Sequence, residues 1–273
     1  MARLGMPRDP KATSSLAVFV IGVDGALRSP SLVEALGQSP FDVHVVEPFW
    51  VQPSHWSELT DDVAATLLFG RPLTQGEVGC WFAHRKVYEA ASAMGCSWAI
   101  VLEDDAGIPA RLWDHVSEII RSLDADEPSI VSLFAQDHPG RSGKGTREEA
   151  VIPMSYAPTN TVAYAINRTA METALASPPR AISTADWPPW SVSVKFYLLA
   201  NSPVIHEADS VIGTRPDSSS GLRSVRRLAA VLSPKAWSAG QAYFADRRTY
   251  LVWAVLIPAR KAARRAWTGL AHR

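Results

Sequence analysis

Three consecutive carboxylates, Glu103, Asp104 and Asp105, close the run WAIVLEDDAG. They follow Ala99, Ile100, Val101 and Leu102, residues suited to a buried strand. Adjacent carboxylates repel one another and resist leaving water, so the arrangement calls for compensating positive charge. At the C-terminal end of a buried strand such groups project into the crevice where α/β proteins take ligands. Paired Asp side chains suit a hard divalent cation held by oxygen, Mg²⁺ or Mn²⁺, which can clamp a diphosphate and stabilise charge on a leaving phosphate. By themselves the carboxylates leave three readings open: a metal site, a receiver-type phosphorylation pocket, and a solvated acidic exit from a strand. A receiver needs a phosphoacceptor Asp at the end of a later strand, and the stretch from Val151 to Asn160 contains no Asp.

The element directly before this strand is the best-specified helix in the chain, LTQGEVGCWFAHRKVYEAASAMG. Thr74 and Glu77 have the spacing of a capping box, and Gly95 is placed to end the helix. Cys80, His84, Tyr88 and Ala91 then share one face. Around this pair the sequence predicts strands at Val18–Val23, Val43–Val46, Ser129–Ala135 and Thr161–Ile166. It predicts helices at Ser31–Leu36, from Pro109 through Leu123, and near Thr169–Ala176. Apolar VKFYLLA and PVIHEAD follow the rigid aromatic turn ADWPPW. Alternating strands and helices indicate an α/β fold with a Rossmann-like mixed sheet flanked by helices. The segment from Pro48 to Arg71 shows no clear pattern. Gln136–Glu149 is a polar, Gly-rich loop able to close over a ligand.

Composition bounds the rest. Of 273 residues, 47% are hydrophobic and 20% charged, ordinary values for a globular protein, and the formal net charge of +0 argues against a polycation built for nucleic acid. Two cysteines, Cys80 and Cys96, lack metal-type spacing and point to a reducing, cytoplasmic setting, with Cys80 expected in packed core. The apolar run Leu16–Val23 reads as a first core strand rather than a signal peptide. No stretch reaches transmembrane length. Residues 1–15 read as a disordered lead-in, 16–215 as a catalytic domain, and 216–273 as a basic extension. From Gly221 onward eleven Lys and Arg face one acid, Asp246. Tyr250–Trp267 sets an apolar run beside Arg260, Lys261, Arg264 and Arg265, which suits either a helix on an anionic membrane surface or one docked on the domain.

LTQGEVGCWFAH followed by WAIVLEDDAG resembles glycosyltransferase family 25, the lipopolysaccharide and lipooligosaccharide glycosyltransferases. The matching positions are Leu73, Thr74, Gly76, Glu77, Gly79, Cys80 and His84, then Leu102, Glu103, Asp104 and Asp105. Softer matches are VFVIGVD, TNTVAYAINRTAM and the Asp-Trp of ADWPPW. The chain departs from the family pattern at Ala83 (usually Ser), Gly22 (usually Asn) and Asn160 (usually Gly), and the Arg-rich stretch after the first strand is reduced to Arg28. The resemblance implies a GT-A type fold, a UDP-sugar donor, transfer of a hexose such as galactose or glucose, and a glycan acceptor of lipopolysaccharide type. A lipid-linked acceptor would place the protein peripherally on the inner face of the cytoplasmic membrane. The departures near the first strand also admit a non-catalytic member that binds glycan or a partner enzyme.

Roles can be assigned on that footing. Asp104 and Asp105 are the expected metal and diphosphate ligands, with Glu103 in support. His206 is the expected late ligand completing the metal shell. His84 either touches the donor phosphate or packs against the sheet. Glu77 either serves the donor or only caps its helix. Asp186 is the expected general base for the acceptor hydroxyl, if the reaction inverts.

Overall fold

The computed structural model describes residues 16–69, 71–134, 151–154, 160–186, 188–200, 202 and 204–206, with a few isolated positions beyond. The lead-in 1–15, the loop Gln136–Glu149, Trp187 and nearly all of 216–273, including the basic stretch near Arg260, lie outside them.

Strand β1 (Leu16–Ile21) is followed by helix α1 (Pro30–Gly37) and strand β2 (Asp42–Val46). Ser29 caps α1 by accepting from Leu32 N, and Pro30 occupies the first turn, where its missing N–H costs nothing. Short helices α2 (Trp56–Leu59) and α3 (Asp62–Ala64) lead through a π-turn (Ala65–Phe69) to helix α4 (Gln75–Ala93). Helix α4 carries the predicted capping box, and Gly95 ends it at φ +71°, a conformation that favours glycine.

Strand β3 (Trp98–Glu103) runs into the carboxylates, and β4 (Ala106–Gly107) follows. Helix α5 (Leu112–Ser122) begins later than predicted. Pro109 opens a turn, with Leu112 N donating to the Pro109 carbonyl, and helical geometry starts only at Leu112. Strand β5 (Ser129–Ser132) is shorter than the predicted run. Strand β6 (Val151–Met154) was not predicted, because Pro153 argues against a strand; it is tolerated at the sheet edge. Strand β7 (Ala163–Asn167) starts two residues late, since Asn160 Oδ1 holds Val162 N in a turn. Helix α6 (Arg168–Ala176), β8 (Lys195–Leu199) and β9 (Ile205–His206) complete the described elements.

The sheet is seven-stranded, in the order β2-β1-β3-β7-β5-β8-β6. β1 lies parallel to both β2 and β3, whereas β7 runs antiparallel to β3 and β5. This is the α/β mixed sheet flanked by helices that the alternation of elements predicts, Rossmann-like at the β2-β1-β3 end. One face packs on α1 and α5 through Leu32, Trp113, Val116 and Ile119, against Val18, Val20, Ile100 and Leu102 of the strands. The other packs on α4 and α6 through Val87, Tyr88, Ala170 and Met171, against Phe19, Ala99, Val101 and Ile166. Burial on both faces explains why β1 and β3 read as unbroken apolar runs. Their shared register, Ile21 opposite Glu103, brings both C-terminal ends to one edge, and the functional groups gather there.

Candidate active site

Alternation along β3 sends Ile100 and Leu102 to one face of the sheet and Ala99 and Val101 to the other. Glu103 continues the second set and turns towards α4. Its Oε1 accepts from Thr161 Oγ1 at 2.6 Å and lies 3.2 Å from His84 Nε2. His84 is 2% exposed, and its Nδ1 is 2.8 Å from the Tyr164 hydroxyl, itself 2.9 Å from that of Tyr88. A buried polar chain thus runs Tyr88–Tyr164–His84–Glu103–Thr161. Burial pushes the Glu103 carboxyl up, but the hydrogen bond and electrostatic pull of His84, with the Thr161 hydroxyl, outweigh it and hold the group below its usual value. Burial also raises both tyrosine hydroxyls.

Asp104 and Asp105 lie beyond the strand end. Asp105 is 3% exposed and accepts at Oδ2 from Arg28 Nη2 (2.9 Å), with His206 Nε2 3.1 Å away. Asp104 Oδ1 accepts from Arg28 Nε at 2.9 Å and from Nη2 at 2.5 Å. One guanidinium therefore joins the two carboxylates, and they in turn hold its proton more tightly than usual, the Asp104 hydrogen bond first. His206 reaches the pair because β9 is antiparallel to β4, with His206 opposite Ala106. Sequence reasoning noted Arg28 only as the remnant of an Arg-rich stretch and assigned it no role. Its partners are 76 and 77 residues away, a separation no local pattern encodes.

A cavity of about 510 Å³ opens along this edge, within the range of small-ligand sites. Arg28, His84, Glu103 and Asp104 line its floor; Gly76, Gly79 and Cys80 of α4 form one wall; Pro48 to Val51 form the rim. Trp50 on that rim is 75% exposed. The start of the segment that sequence pattern left unplaced is therefore part of the cavity's frame. Gln75 Nε2 donates to the Val51 carbonyl, and a Cβ at Gly79 would sit 2.7 Å from the Phe49 carbonyl oxygen, so only glycine lets the rim approach α4. Gly22 has an equally local reason. A Cβ there would meet Asp104 Cβ at 2.9 Å and Leu27 Cδ2 at 2.8 Å, leaving no space for the Asn usual in the resembled family.

Other expected residues fall elsewhere. Glu77 is spent on structure: its carboxylate accepts from Arg71 at both oxygens (2.5 and 2.8 Å) and from Thr74 N at 2.8 Å. Burial raises its pKa, and Arg71 and Thr74 more than reverse that. The capping box is present, and both oxygens are engaged by Arg71 and Thr74. Cys80 is half-buried on the cavity wall rather than in packed core, with its thiol pushed well up by burial. Cys80, His84 and Glu103 offer ligand atoms within 4.8 Å of one another. Yet both His84 nitrogens are engaged and the thiol resists ionisation, so this trio suits a metal poorly. Asp186 lines a separate pocket of about 30 Å³ with Tyr88, Thr161, Tyr164 and Trp190. Thr161 links that pocket to Glu103.

Asp104, Asp105 and His206 offer donor types that suit a divalent cation, although among the described residues the trio whose ligand atoms all lie within 4.8 Å of one another is Cys80, His84 and Glu103. Among the described residues Asp105 Oδ1 is buried without a hydrogen-bond partner, a costly state for a carboxylate oxygen. Two carboxylates and an imidazole at 3.1 Å form an oxygen-rich donor set with one nitrogen, suited to Mn²⁺ or Mg²⁺.

Residues 51–178 match the family model described as glycosyltransferase family 25 (LPS biosynthesis protein). The match includes α4 and the three carboxylates but not Arg28, Asp186 or His206. A human protein, "Inactive glycosyltransferase 25 family member 3", is 28% identical over 112 residues, 40% of this chain. The aligned part is only 19% of that relative's length. Among solved structures, a glycosyltransferase involved in the glycosylation of the major capsid of PBCV-1 aligns over 57% of this chain and 62% of its own, at 10% identity and a TM-score of 0.31. S. aureus TarS 1–349 aligns over 68% and 58%, at 12% identity and a TM-score of 0.40. Likenesses that loose carry no argument about the site.

Proposed function

We propose, from the match of residues 51–178 to the glycosyltransferase family 25 model, that the protein is a metal-dependent hexosyltransferase. It takes galactose or glucose from a UDP-sugar and delivers it to a glycan of lipopolysaccharide type. The observation that carries this reading is the buried Asp105 next to Asp104 and Arg28 of the cavity lining, with His206 Nε2 3.1 Å away and, among the described residues, no hydrogen-bond partner for its Oδ1.

Asp104, Asp105 and His206 would hold Mn²⁺ or Mg²⁺. A bound cation supplies charge stabilisation for the departing diphosphate. The chain's own groups do the remaining work. Gly76 and Cys80 of α4 line the donor space, Gly79 lets the Pro48–Val51 rim close on the helix, and that rim shields the donor from water. Glu103 supports the Asp pair, its carboxylate kept ionised and oriented by His84 and Thr161. His84 acts through Glu103 and Tyr164 rather than on phosphate, since both ring nitrogens are engaged. Asp186, across the polar chain from Glu103, is the proposed base that takes the acceptor hydroxyl's proton. The basic segment beyond residue 216 is proposed to hold the protein to an anionic membrane surface on the cytoplasmic side, close to a lipid-linked acceptor.

Asp105→Asn should lower kcat/KM by roughly a hundredfold or more with the circular dichroism spectrum unchanged. Hydrolysis or transfer across a panel of UDP-sugars, with and without chelator, measures this. Full activity in Asp105→Asn or in chelator would sink the metal assignment. The human relative's printed name favours a second reading, a non-catalytic member that binds glycan or a partner enzyme. Calorimetry with UDP and Mn²⁺ separates the two, because the enzyme requires a metal-dependent UDP signal.

A further inference from the structure

Arg28 occupies the carboxylate oxygens that a divalent cation needs. Its Nη2 bridges Asp104 Oδ1 and Asp105 Oδ2, and its Nε adds a second bond to Asp104 Oδ1. The side chain is nonetheless 44% exposed and lines the 510 Å³ cavity. Its backbone is fixed on the C-terminal side: Ser29 N donates to the Asp104 carbonyl (3.0 Å), and Ser29 Oγ caps α1. A long, half-exposed cation thus hangs from an anchored Cα between an acidic cluster and the open cavity.

We infer that Arg28 is an exchangeable counter-ion: it neutralises Asp104 and Asp105 while no metal is bound, and turns into the cavity to grip the donor diphosphate once a divalent cation takes its place. The inference rests on the proposed metal and donor sites. Charge drives the exchange. Without metal, the two Asp carboxylates and Glu103 attract the guanidinium. A divalent cation on the Asp pair cancels their charge and removes that attraction, while an arriving diphosphate supplies a new anionic partner in the cavity that Arg28 lines. A guanidinium suits both states, because its fork engages carboxylate and phosphate oxygens alike. Arg28 therefore opposes metal binding and favours donor binding.

Opposite signs in the two affinities are what a purely structural residue would not produce. Mn²⁺ titrated into the full chain, followed by the electron paramagnetic resonance signal of the free ion, measures the first. Arg28→Gln should bind Mn²⁺ about fivefold tighter than wild type, the scale of a half-exposed ion pair removed from competition. UDP titrated calorimetrically at saturating Mn²⁺ measures the second, and Arg28→Gln should bind it about tenfold more weakly. Arg28→Lys keeps the charge but loses the fork, and should fall between the two on both axes. Unchanged or weaker Mn²⁺ binding in Arg28→Gln overturns the exchange while leaving the metal site intact, provided wild type binds Mn²⁺ and Asp105→Asn does not. Unchanged UDP affinity overturns the grip on diphosphate. Absence of Mn²⁺ binding in wild type and Arg28→Gln alike overturns the exchange together with the metal site it rests on.

Discussion

At the residue scale, the carboxylates at the end of β3 do not share one environment. Glu103 faces α4 and is held by His84 and Thr161, whereas Asp104 and Asp105 face Arg28 and His206. The repulsion that the sequence poses is divided between two sets of partners, which lets three acids stand in a row. Gly22 shows how tightly the Asp side is built. Gly22→Ala places a methyl 2.9 Å from Asp104 Cβ. It should cost about 1–3 kcal/mol of unfolding free energy, as overpacking does, and weaken Mn²⁺ binding by shifting Asp104. Urea denaturation and a Mn²⁺ titration on the same variant test both. A variant as stable as wild type would mean that Leu27 and Asp104 yield freely.

At the element scale, α4 is the organiser. Its capping box sets where the helix begins, and that start aligns Gly76, Gly79, Cys80 and His84 along the cavity. Glu77 closes the capping box that sets this alignment. Glu77→Ala removes the Glu77 half of the capping box and the Arg71 ion pair, and should lower stability by about 1–2 kcal/mol while leaving KM for the donor unchanged in the folded population. A denaturant melt and donor-dependent kinetics measure the two halves. A large rise in KM with normal stability would return Glu77 to the donor site. The pairing of β4 with β9 is the other decisive element. Two short strands, far apart in sequence, deliver His206 to Asp105.

Over the whole molecule, the acidic limb of stability should report the same interactions. Glu103 and Glu77 both have folded-state pKa values below the unfolded value of 4.5. Each therefore contributes stability that is fully present above pH 4.5 and is lost as pH falls through the lowered folded value. Urea midpoints should stay level from pH 7 towards 5 and fall below about pH 4.5. In Glu103→Gln that acidic fall should be shallower. An identical fall in the variant would separate Glu103 from acid stability. Among the described residues no helix is long and apolar enough to cross a membrane. The chain's match spans a small part of its human relative, so acceptor and setting rest on the proposals above.

Much of this arrangement was legible in the residue order. The apolar runs of β1 and β3, the cap of α4, the stop at Gly95 and the carboxylates at the strand end are all local signals. Each is set by side-chain periodicity or backbone preference within a few residues. The mixed α/β class follows from their alternation. What lay beyond reach was every contact made across the chain. Pro153 hid an edge strand because only the sheet order shows that this strand lies at the edge, where a proline is tolerated. The Pro48–Val51 rim had no period to read, since its place is set by one glycine on α4. Arg28 bridging Asp104 and Asp105, and His206 arriving from β9, depend on the parallel β1–β3 register and the β4–β9 pairing. The sequence by itself determined which acids stand together and on what kind of element. Only the tertiary structure decided which side chains meet them, because such pairing acts through space and the chain brings those partners close only once it has folded.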